Sequence, residues 1–328
     1  MTGEISLAGS TAKVRPLIQE ATDSSPVVTG TQSDCMGHIQ LHPRINPRAQ
    51  RQLMLGVAGI VWLCIVAVAG VSPFLAALKS NVSAVKTREE GALGRSVSIH
   101  GTTYKYEVFL PADWSPRRKW PIILFLHGAG ERGSDGLIQT EVGIGEAIRK
   151  SRSRFPAIVV MPQCPTDHWW ATADMEELAL ASLSEASKEF KGDAKRIYLT
   201  GLSMGAYGTW DIAAKNPHKF AAIVPISGGI AIPEIEKHMH PDLANASYPE
   251  EPASYANVAA KIGKTPVWIF HGADDRVVSP NSSRKMFAAL RESGANVRYT
   301  EYPHVGHDAW EKAYADPELT TWLFSKCL

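Results

Sequence analysis

Cysteine is scarce in this chain: Cys35, Cys64, Cys164 and Cys327 are the four among 328 residues, and no two lie close together. That excludes a disulfide-stapled miniprotein, a thiolate zinc site and a CxxC redox motif. Cys35 falls in a polar leader and Cys64 in an apolar run, so Cys164 and Cys327 are the pair placed to meet in a folded domain. The sequence leaves that pairing open. An excess of one charge is also lacking, since 34 Lys and Arg face 33 Asp and Glu, for a formal charge of +1. No broad positive field exists to grip a phosphate backbone, so nucleic acid is set aside as a partner. No internal repeat is visible, which argues against a solenoid. With 45% hydrophobic and 20% charged residues, most of the chain has the means to bury a core.

Long apolar runs are rare as well, with one exception. Leu53 to Val71 holds apolar residues and Gly alone, and no charge occurs between Arg51 and Lys79. Nineteen helical residues span roughly 28 Å, close to the hydrocarbon thickness of about 30 Å. Arg44, Arg48 and Arg51 precede the run with no acid after Asp34, which places the N-terminus in the cytoplasm and exports the rest. The organisation expected is a disordered leader (1–51), a transmembrane anchor or signal segment (52–78), a linker (79–94) and one large folded domain (95–328). Ala67-Val68-Ala69 offers a small-x-small cleavage site, and Met36 an alternative start for a conventional signal. The domain is therefore expected outside the cytoplasm, anchored to the membrane through residues 53–71 or released after cleavage.

Beyond the linker, strand and helix patterns alternate. Ser96 to His100 and Tyr104 to Leu110 predict an opening hairpin around Gly101. Pro121 to Leu126 is continuously apolar, as a strand buried on both faces must be. Ala157 to Met161, Arg196 to Thr200, Ala221 to Ile226 and Val267 to Phe270 follow, with the more polar Val297 to Tyr302 nearer an edge. Helices fit between them at Ala173 to Phe190, from Met204 to the Asn216-Pro217 stop, and at Ser282 to Glu292. The fold class expected is α/β, a mostly parallel central sheet with helices on both faces.

Gly201-Leu202-Ser203-Met204-Gly205 sits directly after one strand and opens a helix, the context a G-x-S-x-G nucleophile elbow requires. A serine hydroxyl needs a base, and that base an orienting carboxylate. Asp274 and Asp275 follow the strand ending at Phe270, while His304 and His307 follow the last strand. The order Ser, Asp, His is that of the α/β-hydrolase arrangement. An oxyanion also needs two donors, for which the amide of Met204 and that of Ala129 or Gly130, in His127-Gly128-Ala129-Gly130, are the candidates.

The blocks LHGAGERGSDG, MPQCPTDHWW, YLTGLSMGAYGTW, FHGADDRVV and YPHVGHDAW resemble, in that order, the α/β-hydrolase group of exported carboxylesterases called predicted peptidases, related to polyhydroxybutyrate depolymerase-like and feruloyl-esterase-like enzymes. The resemblance covers roughly residues 95–328. It implies Ser203 as nucleophile, Asp275 at the fifth position of HGxxD as triad carboxylate, His307 as base, and no metal or organic cofactor. The reaction implied is ester hydrolysis through an acyl-enzyme, on a small-molecule or polymer ester. Two departures are Ala206, where such relatives more often carry Gly, and a longer stretch from Gly229 to Tyr255 that reads as a surface excursion or lid.

Blander readings stand beside these. Trp169, Trp170 and His127 are candidates for substrate contact, yet an aromatic subsite and a buried core edge demand the same tryptophans. Glu131 and Arg132 read as an ion pair or loop brace. His238 and His240 form an HxH pair without a third ligand, so a solvated loop is the expectation. Asn81, Asn245 and Asn281 start glycan-acceptor patterns. A serine peptidase of the same fold is one alternative to the esterase; a membrane-anchored, non-catalytic binding module is the other.

Overall fold

The computed structural model describes residues 91–328 apart from 240–242 and 244–247, so the leader, the apolar segment, residues 79–90 of the linker and His240 lie outside the described residues. Among the described residues, eight strands form one sheet: β1 (Gly91–Ile99), β2 (Thr102–Leu110), β3 (Trp120–Leu126), β4 (Ile158–Pro162), β5 (Gly192–Leu202), β6 (Ala222–Ile226), β7 (Val267–Gly272) and β8 (Val297–Tyr302), in the spatial order β1-β2-β4-β3-β5-β6-β7-β8. β1 and β2 pair antiparallel, as do β2 and β4, and the remaining neighbours run parallel.

Burial follows from the side-chain period. β3, β4, β6 and β7 are buried at every position, as central parallel strands covered on both faces must be. Each Leu, Ile or Phe removed from water there stabilises the fold by roughly 1.5–3 kcal/mol. β1 alternates between half-buried and exposed, which suits an antiparallel edge. It starts at Gly91, four residues inside the segment expected as linker, where Gly-Ala-Leu-Gly carries no β-branched residue to announce a strand. β8 lies at the opposite edge, as its polar composition predicts.

Helices cover both faces. α1 (Ile144–Lys150) packs on one face and α2 (Ala173–Phe190) and α3 (Met204–Lys215) on the other; α4 (Glu234–Met239), α5 (Pro252–Ile262), α6 (Pro280–Glu292), α7 (Ala309–Ala315) and α8 (Pro317–Phe324) follow in the chain. One core joins α2, α3, α5 and α6 to the sheet through Leu178, Trp210, Val258 and Met286. The other joins α1, α7 and α8 through Ile148, Ala309 and Trp322. The architecture is thus the expected α/β-hydrolase fold. The stretch from Gly229 to Tyr255 differs from a purely surface excursion, because Ile230, Ile232 and Leu243 are buried and α4 forms within it.

Candidate active site

β5 ends at Leu202 and α3 begins at Met204, which leaves Ser203 alone to make the turn at φ +50° and ψ −120°. A non-glycine residue there carries strain on the order of 1–3 kcal/mol, held by the surrounding structure. The flanking glycines explain themselves by distance. A Cβ on Gly201 would stand 2.3 Å from the Gly205 carbonyl oxygen, and one on Gly205 would stand 2.0 Å from that of Leu126. Any side chain at either position would force helix and sheet apart.

Ser203 Oγ lies 2.8 Å from His307 Nε2, and His307 Nδ1 lies 2.7 Å from Asp275 Oδ2. Nδ1 faces a carboxylate and so carries the ring hydrogen, leaving Nε2 to accept from the serine hydroxyl. Asp275 Oδ1 accepts the amides of Val277 and Val278 at 2.9 Å each. Burial alone would raise the Asp275 pKa, but the hydrogen bonds from His271, His307 and Val278 outweigh it and hold the carboxyl well below the usual carboxylate range. The alternatives fall away by position. Asp274 and His304 lie 3.8 Å apart on exposed loop surface, outside this relay.

The loop after β3 adjoins the elbow, since a Cβ on Gly128 would lie 3.6 Å from Ser203 Cβ. Gly128 N donates to Glu131 Oε2 at 2.9 Å, and Arg132 Nε donates to Ala129 O at 3.1 Å. Glu131 and Arg132 therefore both brace the loop backbone. Among the described residues, the amides of Ala129 and Met204 meet no acceptor. Met204 is also the first residue of α3, whose aligned peptide dipoles favour a negative charge at that end.

The expected substrate contacts at His127 and Trp170 need correcting. Both are buried, with 1% and 0% exposure. His127 Nδ1 donates to Gly128 O at 2.7 Å, and its Nε2 accepts from Cys164 N at 2.9 Å. Trp170 Nε1 donates to His127 O at 3.0 Å. Together they pin the loop after β3 to the segment following β4, and burial lowers the His127 pKa to about 4. Trp169 is likewise in the core, its ring edge-on to Tyr207 at 5.7 Å. A tryptophan pair needed to fill the interior had satisfied both sequence readings equally. Cys164 is buried and Cys327 exposed, both as free thiols. Among the described residues, no cluster of His, Cys, Asp and Glu has the makings of a metal site.

One member of the site carries no role in the sequence reading. His271 on β7, fully buried, places Nε2 at 3.1 Å from Asp275 Oδ2. The signal was a histidine closing an otherwise apolar strand four residues before the carboxylate, which reads as ordinary core until the contact is seen.

Residues 167–324 match the prolyl oligopeptidase family. A thermostable esterase of known structure is 32% identical, with a TM-score of 0.58 over 72% of this chain and 63% of its own. A poly(3-hydroxyoctanoate) depolymerase from Pseudomonas fluorescens is 26% identical over 67% of this chain and 77% of its own length. An uncharacterized secreted protein of Arthroderma benhamiae is 29% identical over 58% of this chain, which spans 21% of that protein.

Proposed function

Starting from a chain that belongs to the α/β-hydrolase superfamily, in the group that holds esterases beside the prolyl oligopeptidase family, we propose that it hydrolyses carboxylic esters through an acyl-enzyme. Ser203 Oγ attacks the acyl carbon while its proton passes to His307 Nε2, and Asp275 orients the ring and stabilises its charged form. The amides of Met204 and Ala129 hold the oxyanion, with Gly130 as the neighbouring alternative donor. His307 then returns the proton to the departing alcohol. Water, deprotonated by the same ring, releases the acid and restores the serine.

The observation that carries the reading is the unbroken relay of 2.8 and 2.7 Å contacts on a strained elbow. A fold retained for binding alone has no need of it. The esterase among the solved structures and the depolymerase among the relatives support an ester, small or polymeric, as substrate. Export is proposed too: a secreted relative supports it, and residues 53–71 would supply the anchor or signal.

The match to the prolyl oligopeptidase family favours a second reading, cleavage of peptides by the same groups. An amide leaving group must be protonated as it departs, whereas an ester alcohol leaves with less help. Measuring kcat/KM on p-nitrophenyl esters and on p-nitroanilides of the same acyl group separates the two. We expect Ser203-dependent turnover of the esters across short acyl, long acyl and feruloyl series and none of the anilides, and Ser203-dependent anilide turnover would establish the peptidase instead.

A further inference from the structure

The end of β7 is apolar through Val267-Trp268-Ile269-Phe270 and then turns polar at His271, which has no exposed surface. Its Nε2 faces two acceptors, Val278 O at 3.0 Å and Asp275 Oδ2 at 3.1 Å, so it carries the ring hydrogen and shares it between them. Its Nδ1 lies 2.7 Å from Ser283 Oγ on α6, closer than the 3.4 Å between Ser283 Oγ and Gly228 O. The serine hydroxyl therefore donates to Nδ1 and fixes the ring from the far side. Asp275 ends with four donors: two amides on Oδ1, and His271 with His307 on Oδ2. A carboxylate has about four acceptor sites, and here each is used.

We infer that His271 is a positioning residue of this site: from the core it fixes the Asp275 carboxylate against His307 and takes a share of its charge. The inference rests on the proposed hydrolase reading and assigns a role to a side chain that meets neither Ser203 nor substrate. Two consequences distinguish it from a polar group merely satisfied in the core. Without His271, Oδ2 is free to swing, and the proton relay loses alignment. Without that second donor, the carboxylate charge also turns wholly on His307 and favours its protonated form. Other charged or titratable groups act on this pair from the neighbouring elements, Glu301 on β8 and Tyr207 on α3; Asp274 and His304 are turned to solvent on the loops, and Trp310 of α7 packs edge-on to the His307 ring at 5.2 Å.

The test uses the full-length chain with His271→Leu, His271→Gln and Ser283→Ala. One readout is the pH profile of Ser203 labelling by a fluorophosphonate; the other is the low-field proton resonance of His307 Nδ1–H, identified by its loss in His307→Ala. In His271→Leu we expect labelling to slow by about 10- to 100-fold, the scale of one hydrogen bond to a charged group. Its acid limb should move to higher pH and the low-field resonance should shift. His271→Gln keeps an N–H donor near the Nε2 position and should recover most of the rate and the original limb. Ser283→Ala, which only loosens the ring, should move limb and resonance the same way by less, and serves if the leucine variant does not fold. An unmoved limb and resonance, or glutamine no better than leucine, overturns the inference. If Ser203 of the wild-type chain is not labelled at all, the hydrolase reading fails, while the resonance still decides the role of His271.

Discussion

At the scale of single residues, the account turns on Ser203 being held where a serine would not rest by itself. Its φ of +50° is unfavourable for any residue with a Cβ. Ser203→Ala keeps that strain and Ser203→Gly removes it, so the glycine variant should be the more stable by about 1 kcal/mol despite its greater freedom when unfolded. Urea midpoints of the two variants check this. Asp275→Asn should lower kcat by about 10⁴-fold with the fold intact, since an amide cannot hold His307 in the tautomer that accepts at Nε2. Steady-state kinetics on an ester, beside a matching circular dichroism spectrum, would show it. Much at this scale was legible in advance. Ser203, Asp275 and His307 stood in motifs whose order has a mechanical reason, and the relay brings those same three together. His127, Trp169 and Trp170 were not legible, because filling the core and lining a subsite select the same side chains.

The elements explain why those residues meet. β5, β6 and β7 are parallel neighbours, so the turns after β5 and β7 emerge at one end of the sheet, with the loop after β8 beside them. Elbow and loop must then approach closely, which fixes Gly205. Gly205→Ala places a methyl 2.0 Å from Leu126 O and should cost about 3 kcal/mol or more, because rigid backbone stands on both sides. A loss of that size is read directly from denaturant unfolding. The loop after β3 depends on a carboxylate instead. Glu131→Ala removes the acceptor of Gly128 N and should reduce kcat about 10-fold with KM nearly unchanged, as a loosened oxyanion donor acts on the transition state. Strand positions were legible wherever burial on both faces made a continuous apolar run, as in β3 and β7. The start of β1 was not, since an edge strand half in solvent can be written in Gly, Ala and Arg. Nor were the anchors of the 229–255 stretch, where three scattered apolar residues leave no period to follow.

For the whole molecule, burial of titratable groups makes stability depend on pH. His127 in the folded chain has its pKa lowered to about 4, against about 6.5 when exposed. The unfolded chain therefore binds a proton below about pH 6.5 that the folded chain refuses until about pH 4, and stability falls with pH across that window. The loss is on the order of 3 kcal/mol. Comparing wild type with His127→Gln at pH 7 and pH 5 isolates it: the difference in unfolding free energy should move in favour of the variant as the pH drops. Asp275 adds to the acid sensitivity at lower pH, since its depressed pKa gives stability that is present above the unfolded value and lost as pH falls toward the folded one. Function at this scale rests on the serine relay acting as a whole. Its most direct test is p-nitrophenyl butyrate hydrolysis by the full-length chain and by Ser203→Ala. We predict turnover that falls by at least about 10⁴-fold on substitution. Equal turnover by the two proteins would contradict the account.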